Sequence, residues 1–188
     1  MTTATINESQ PTKTSGPRRP VRRIVTGENA AGKSIFLSDG PAPNHTSGVG
    51  SPLAHVVWVT GDAAAPGSDP APAGQAFGFH SKGGSLLRIV DFPPDESYDT
   101  EELARFLDEH GVRDNDNARH FWFHKTQSLD YAIVLEGEIF ALMDEGETLM
   151  RPGDILIQRA TNHSWSNRSG KPCRMAFVLL DLEHGAKD

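Results

Sequence analysis

The chain has 188 residues, a formal net charge of -7 and one cysteine, and nowhere does it run through the ~20 consecutive apolar residues of a membrane span. That balance excludes general affinity for nucleic acid or an anionic membrane, since neither phosphate nor headgroup attracts an acidic surface. The length suits one domain, the lone Cys173 rules out an internal disulfide, and residues 1–20 lack the apolar core of a secretory signal, so a reducing, cytoplasmic setting is expected.

In chain order, residues 1–20 are mostly Thr, Ser, Pro, Gln and Lys, too polar to offset the entropy of ordering, and are expected to form a disordered tail. Arg18, Arg19, Arg22 and Arg23 read as a solvated basic lead-in. Residues 23–26 and 34–37 read as short strands around a turn at 29–32. The tract 61–74, built of Pro, Ala, Gly and Asp, is expected to be a surface loop between strands at 55–60 and 86–92. One helix follows: Asp99-Thr100-Glu101-Glu102 offers a capping-box-like start, Leu103, Phe106 and Leu107 share a face, and Gly111 marks the end. Beyond it, residues 121–124, 129–135, 138–143, 148–150, 155–158 and 174–182 read as closely spaced strands, which favours a sandwich or barrel. Turns at 144–146 and 151–154 supply hairpin chemistry, and Gly137 reads as a bend where a strand changes sheet.

The string Gly27-Glu28-Asn29-Ala30-Ala31-Gly32-Lys33-Ser34 matches the phosphate-cradling loop expression and follows a strand. That chemistry needs the loop to open a helix whose first amides face the phosphates. Gly40, Pro41 and Pro43 forbid such a helix after Ser34, so the segment reads as a β-hairpin.

The chemistry-bearing residues lie between positions 120 and 167. Side chains alternate along a strand, so Trp122, His124 and Thr126 share one face, which in a barrel is the interior. Asp130 begins the next strand and His163 lies near the start of a later one, so a sheet folded on itself brings them together. Two imidazoles and one carboxylate leave coordination positions open, as in a catalytic divalent site, and iron, manganese, nickel or zinc would suit. Thr126, Gln158, His120 or water would complete the shell. Trp122, Tyr131 and Trp165 are candidate pocket walls. Each residue also has a structural reading: the histidines as hydrogen-bonded interior groups, Asp130 and Asn167 as turn acceptors, and Cys173 as an inert buried thiol.

These spacings resemble the two-part signature of the cupins. His124, Gly137 and His163-x-x-x-Asn167 are kept; Thr126 stands at the second histidine of the first motif, Asp130 replaces a glutamate, and Gln158 and Ala160 occupy the usual Pro and Gly positions of the second. Phe123-His124-Lys125-Thr126, Leu129-Asp130-Tyr131, Leu135-Glu136-Gly137-Glu138 and Pro152-Gly153-Asp154 are similar to small single-domain cupins, the tailoring proteins of polyketide and aromatic pathways, some described as oxidoreductases. The resemblance implies an all-β double-stranded β-helix, or jelly-roll barrel, with an N-terminal β-hairpin and one short α-helix. The expected organisation is a tail at 1–20, strands, loop and helix packed on the barrel at 21–118, the cupin core at 119–183 and a short tail at 184–188.

The resemblance also implies a homodimer and a small-molecule substrate. The preferred function is a metal-dependent enzyme, oxidoreductase in type, in which His124, Asp130 and His163 hold a divalent ion and act on an aromatic or polyketide-like metabolite. Two alternatives stand beside it. One is a metal-free dehydratase, isomerase or cyclase with a histidine as general base; the other is a non-catalytic ligand-binding cupin.

Overall fold

A computed structural model describes residues 20–46, 52–61, 69, 71–74, 78–79, 82–113 and 119–181. Residues 1–19 of the expected tail at 1–20, with Arg18 and Arg19 of the basic lead-in, and the expected tail at 184–188 lie outside the described residues.

Three antiparallel sheets make up the structure. The strands β1 (Arg22–Glu28) and β2 (Ser34–Pro41) pair as a hairpin of their own. Next come β3 (Asn44–Thr46), β4 (Leu53–Val59) and β5 (Ser85–Phe92), then the helix α1 (Thr100–Glu109). The remaining strands are β6 (Ser128–Glu136), β7 (Ile139–Met143), β8 (Glu147–Met150), β9 (Ile155–Arg159), β10 (His163–Ser166) and β11 (Cys173–Asp181). A six-stranded sheet in the order β3-β4-β5-β11-β6-β9 faces a three-stranded sheet, β10-β7-β8, and β3–β5 belong to the same sheet as the later strands. Leu86, Val134, Ile139, Trp165 and Met175 fill the space between, contributed by the inward positions of both sheets. No helix among the described residues is long and apolar enough to cross a membrane.

The phosphate-loop lookalike is a hairpin turn. Asn29 accepts from the Ala31 and Lys33 amides through Oδ1 and donates its own amide to the Lys33 carbonyl, so the turn is closed by its own asparagine. The helix starts where its cap is: Asp99 Oδ1 accepts from the Glu101 and Glu102 amides at 3.1 and 3.0 Å, and Gly111 ends it with a φ of 63°. Gly137 sits at φ 79°, and a Cβ there would stand 2.8 Å from the Pro172 carbonyl, so the bend between β6 and β7 requires glycine.

Three expectations need correction. Residues 121–124 are not a strand; they form a turn followed by an isolated bridge between His124 and His163. The turn at 151–154 is real, with Asp154 accepting from the Arg151 amide, yet it makes no hairpin: it carries the chain from β8 in one sheet to β9 in the other. Within the 61–74 tract Ala71 is fully buried, its carbonyl taken by Asn44 Nδ2 at 3.0 Å, so that part of the tract packs on the barrel.

Candidate active site

One bridge organises the site. His124 and His163 exchange both backbone hydrogen bonds, N to O at 2.9 and 3.0 Å, the pattern of a directly opposed antiparallel pair. Their side chains therefore leave the backbone together, and the ring centroids lie 4.3 Å apart at 48°. His124 Nδ1 is 2.8 Å from the Trp122 carbonyl, and His163 Nδ1 is 3.0 Å from the Thr161 carbonyl. A carbonyl only accepts, so each ring carries its proton on Nδ1 and its lone pair on Nε2. Burial holds both rings neutral: it pulls His124 down to about 4, with the Trp122 carbonyl opposing, and it pulls His163 well below the usual histidine range, with His124 adding to the effect.

These imidazoles open onto a cavity of about 350 Å³ that Thr126, Asp130, Trp122 and Trp165 also line. Asp130 reaches it from β6, where Ser128, Asp130, Ala132 and Val134 form the inward row. Phe92 and Phe177 close one side and α1 contributes Glu102, Leu103 and Phe106. The wall is thus mainly apolar and aromatic with a few convergent polar groups, the usual composition of a small-molecule site.

The sequence has relatives among known proteins, although no family model matches the chain. Over 183 residues it is 34% identical to the cupin-domain-containing oxidoreductase fogC of Aspergillus ruber, covering 89% of this chain and 75% of that protein. The chain belongs to the cupin-domain-containing oxidoreductase family. This cupin is also 32% identical over 182 residues to phomopsin biosynthesis cluster protein D of Diaporthe leptostromiformis, covering 91% of the chain and 84% of its relative. Among solved structures, a cupin superfamily protein of Desulfitobacterium hafniense aligns at a TM-score of 0.40 and 10% identity, over 72% of this chain and 83% of that one.

The other expected residues divide. Tyr131 does not wall the pocket: it is 37% exposed on the outer face of β6, because it is the immediate neighbour of inward Asp130. Gln158 is buried but does not line the cavity; its Nε2 donates to the Thr161 carbonyl at 2.7 Å and to the Thr161 hydroxyl. It steadies the same carbonyl that orients His163. His120 faces away from the cavity, with Nδ1 2.7 Å from Ser164 Oγ and Nε2 3.2 Å from Asp95. Asn167 is a turn residue, Nδ2 donating to the Phe92 and Lys171 carbonyls. Burial pushes the Cys173 thiol up to about 12, which leaves it unreactive.

Arg88 is the positively charged cavity residue that the sequence reading missed, along with apolar lining such as Phe92 and Phe177 and the carboxylate of Glu102. The signal was present in strand parity, since Leu86, Arg88, Val90 and Phe92 fall on one face of β5 and three of the four are apolar.

A divalent ion is implied by the resemblance to cupins, and the donors meet that requirement only in part. His124 and His163 offer Nε2 with Nδ1 anchored, as metal-ligating histidines do. Among the described residues, however, no three side chains of the His, Cys, Asp and Glu types lie close enough together to hold an ion. Thr126 supplies a hydroxyl where an imidazole is expected, Gln158 and His120 are engaged elsewhere, and Arg88 brings a cation to the same wall. The described residues do not fit a metal shell.

Proposed function

We propose that this cupin is a tailoring enzyme of secondary metabolism that moves protons on an aromatic or polyketide-like small molecule, with Nε2 of His124 and of His163 as the proton-accepting atoms. The observation that carries this reading is the facing pair of neutral imidazoles, each fixed by a carbonyl at Nδ1, in an aromatic-walled cavity. A base must be unprotonated and correctly aimed before substrate arrives, and burial together with the two anchoring bonds meets both conditions. Trp122, Trp165, Phe92 and Phe177 suit a flat, conjugated ligand, with Asp130 and Thr126 as its polar contacts. The relatives' names, oxidoreductase and biosynthesis cluster protein, support an enzymatic role on a secondary metabolite, and proton removal beside a carbonyl is the part of such a reaction that these side chains supply. Metal dependence does not enter the proposal, because the donor set among the described residues falls short of a shell.

Deuterium exchange tests it. Enolisable aryl ketones incubated with the protein in D2O should exchange their α-protons faster than in buffer, by NMR, whether or not the protein has been exhaustively chelated. His124→Asn and His163→Asn should each slow this by about 100-fold or more, the ordinary worth of a positioned base. Exchange abolished by chelation and restored by iron, manganese, nickel or zinc would return the site to metal chemistry; ligand binding without exchange would make the protein a carrier.

The same reading includes a homodimer and a reducing, cytoplasmic setting. Support for the first is the apolar surface of the hairpin, where Phe36 is 74% exposed; support for the second is the single, buried cysteine.

A further inference from the structure

Arg88 stands in the wall of an otherwise largely apolar cavity. Its Nη2 donates to the Gly78 carbonyl at 2.6 Å, and its guanidinium carbon lies 5.6 Å from the Phe79 ring centroid. Phe79 in turn packs 5.6 Å from His124 and 5.8 Å from Phe106, so the cation is built into the wall beside the imidazole pair. Its Nε is shielded from solvent and has no hydrogen-bond partner among the described residues. Asp130, on β6 two strands away in the sheet order, lines the same wall and favours its charge electrostatically. Burial lowers its pKa to about 10, which leaves it charged at neutral pH. A half-buried cation whose Nε is shielded from water and unpartnered among the described residues is costly, and an anionic ligand offsets that cost.

We propose that Arg88 is the specificity-determining residue of this cavity and selects ligands that carry an anionic oxygen, such as a carboxylate, phenolate or enolate, on an aromatic or conjugated body. The guanidinium fork takes the oxygen while Trp122, Trp165 and Phe177 take the body. Glu102 and Asp130, the carboxylates of the same wall, repel an anion everywhere except at the guanidinium, which gives the ligand one orientation. Recognition is also coupled to chemistry. After burial, the charge of Arg88 is a further reason that His124 resists protonation, so an anion seated on the guanidinium makes that imidazole a better proton acceptor.

This inference rests on the cavity assigned above, and its test is one of binding rather than of proton transfer. Calorimetric titration with trans-cinnamate and with its neutral analogue trans-cinnamamide should give the carboxylate at least about tenfold tighter binding at low salt. Arg88→Met should erase that preference while still binding the amide, and Arg88→Lys should retain part of it; near-UV circular dichroism and thermal midpoints establish that both variants are folded. Equal affinity for the two probes, failure to bind cinnamate, or a carboxylate preference that persists in Arg88→Met would each overturn the proposal. None of these outcomes depends on exchange of neutral ketones by the wild type, so the two readings fail separately.

Discussion

His124 and His163 face each other at close range, so burial disfavours the first proton and the charge of a protonated neighbour disfavours the second further. The sign of the resulting pH dependence follows. In the unfolded chain a histidine binds a proton below about 6.5, whereas folded His124 does so only near 4, so the unfolded state holds more protons throughout that interval. Stability is complete above pH 6.5 and is lost as the pH falls toward 4, by on the order of 3 kcal/mol for this residue. The thermal midpoint should therefore drop steadily between pH 6.5 and 4, and a His124→Leu variant should show a shallower slope over the same range. Ala160 makes a second prediction. It adopts φ 50°, a left-handed conformation, at the place where the cupin pattern has glycine. Ala160→Gly relieves that strain but adds freedom to the unfolded chain, for a net gain of about 0.5–1 kcal/mol measurable by denaturant titration. The departure from the motif was legible in the sequence, and what stayed hidden was that the backbone had kept the glycine conformation. Tyr131 failed as a wall residue for a reason that parity alone contains, whereas Arg88 went unseen because a charged residue inside an apolar strand is ordinarily assigned to the solvent face.

The helix and one short strand do the most for the site. Glu102, Leu103 and Phe106 of α1 line the cavity, and Leu103 and Leu107 are buried in the core, so the helix is a wall held in place by its own inner face. Asp99→Ala should cost about 1 kcal/mol of stability. It should also weaken cinnamate binding, because fraying begins within a turn of Glu102 and Leu103, and calorimetry on the folded variant checks this. The strand β10 carries His163 and Trp165 into the cavity while Ser164 and Ser166 bond on the other side to His120 and Asp95. The helix was readable because its cap, apolar face and terminal glycine all agree. By contrast, β3 has only three residues and β10 only four, lengths over which alternation produces no periodic signal, and residues 121–124 look like a strand although their ladder pairing among the described residues is two isolated bridges, both at His124.

At the scale of the molecule, the two facing sheets bury their apolar rows against each other and leave two apolar areas outside. One is the hairpin, with Ile24, Ile35, Phe36 and Leu37; the other is the outer side of β6 and β9, with Tyr131, Leu135, Ile155 and Ile157. Scattered exposed apolar residues are ordinary, but here they gather on a hairpin that belongs to neither large sheet and on a strand at a sheet edge. If these surfaces join two copies, sedimentation velocity should give a dimer for the wild type and a monomer for Phe36→Ser, with little change in thermal midpoint at high dilution. The barrel as a whole was legible from turn spacing and from the His124 to His163 signature; which strands share a sheet was not, because register and sheet exchange depend on contacts between residues far apart in the chain.

The placement of the tryptophans has a practical consequence. The chain has three. Trp122 and Trp165 line the cavity, and Trp58 lies on the far side of β4, 5.9 Å below the Arg23 guanidinium. Two of the three indoles therefore change surroundings when the cavity fills, and the third serves as a constant background. Emission from the unlabelled protein reports occupancy directly, which makes a library of candidate metabolites searchable by fluorescence before any reaction has been found.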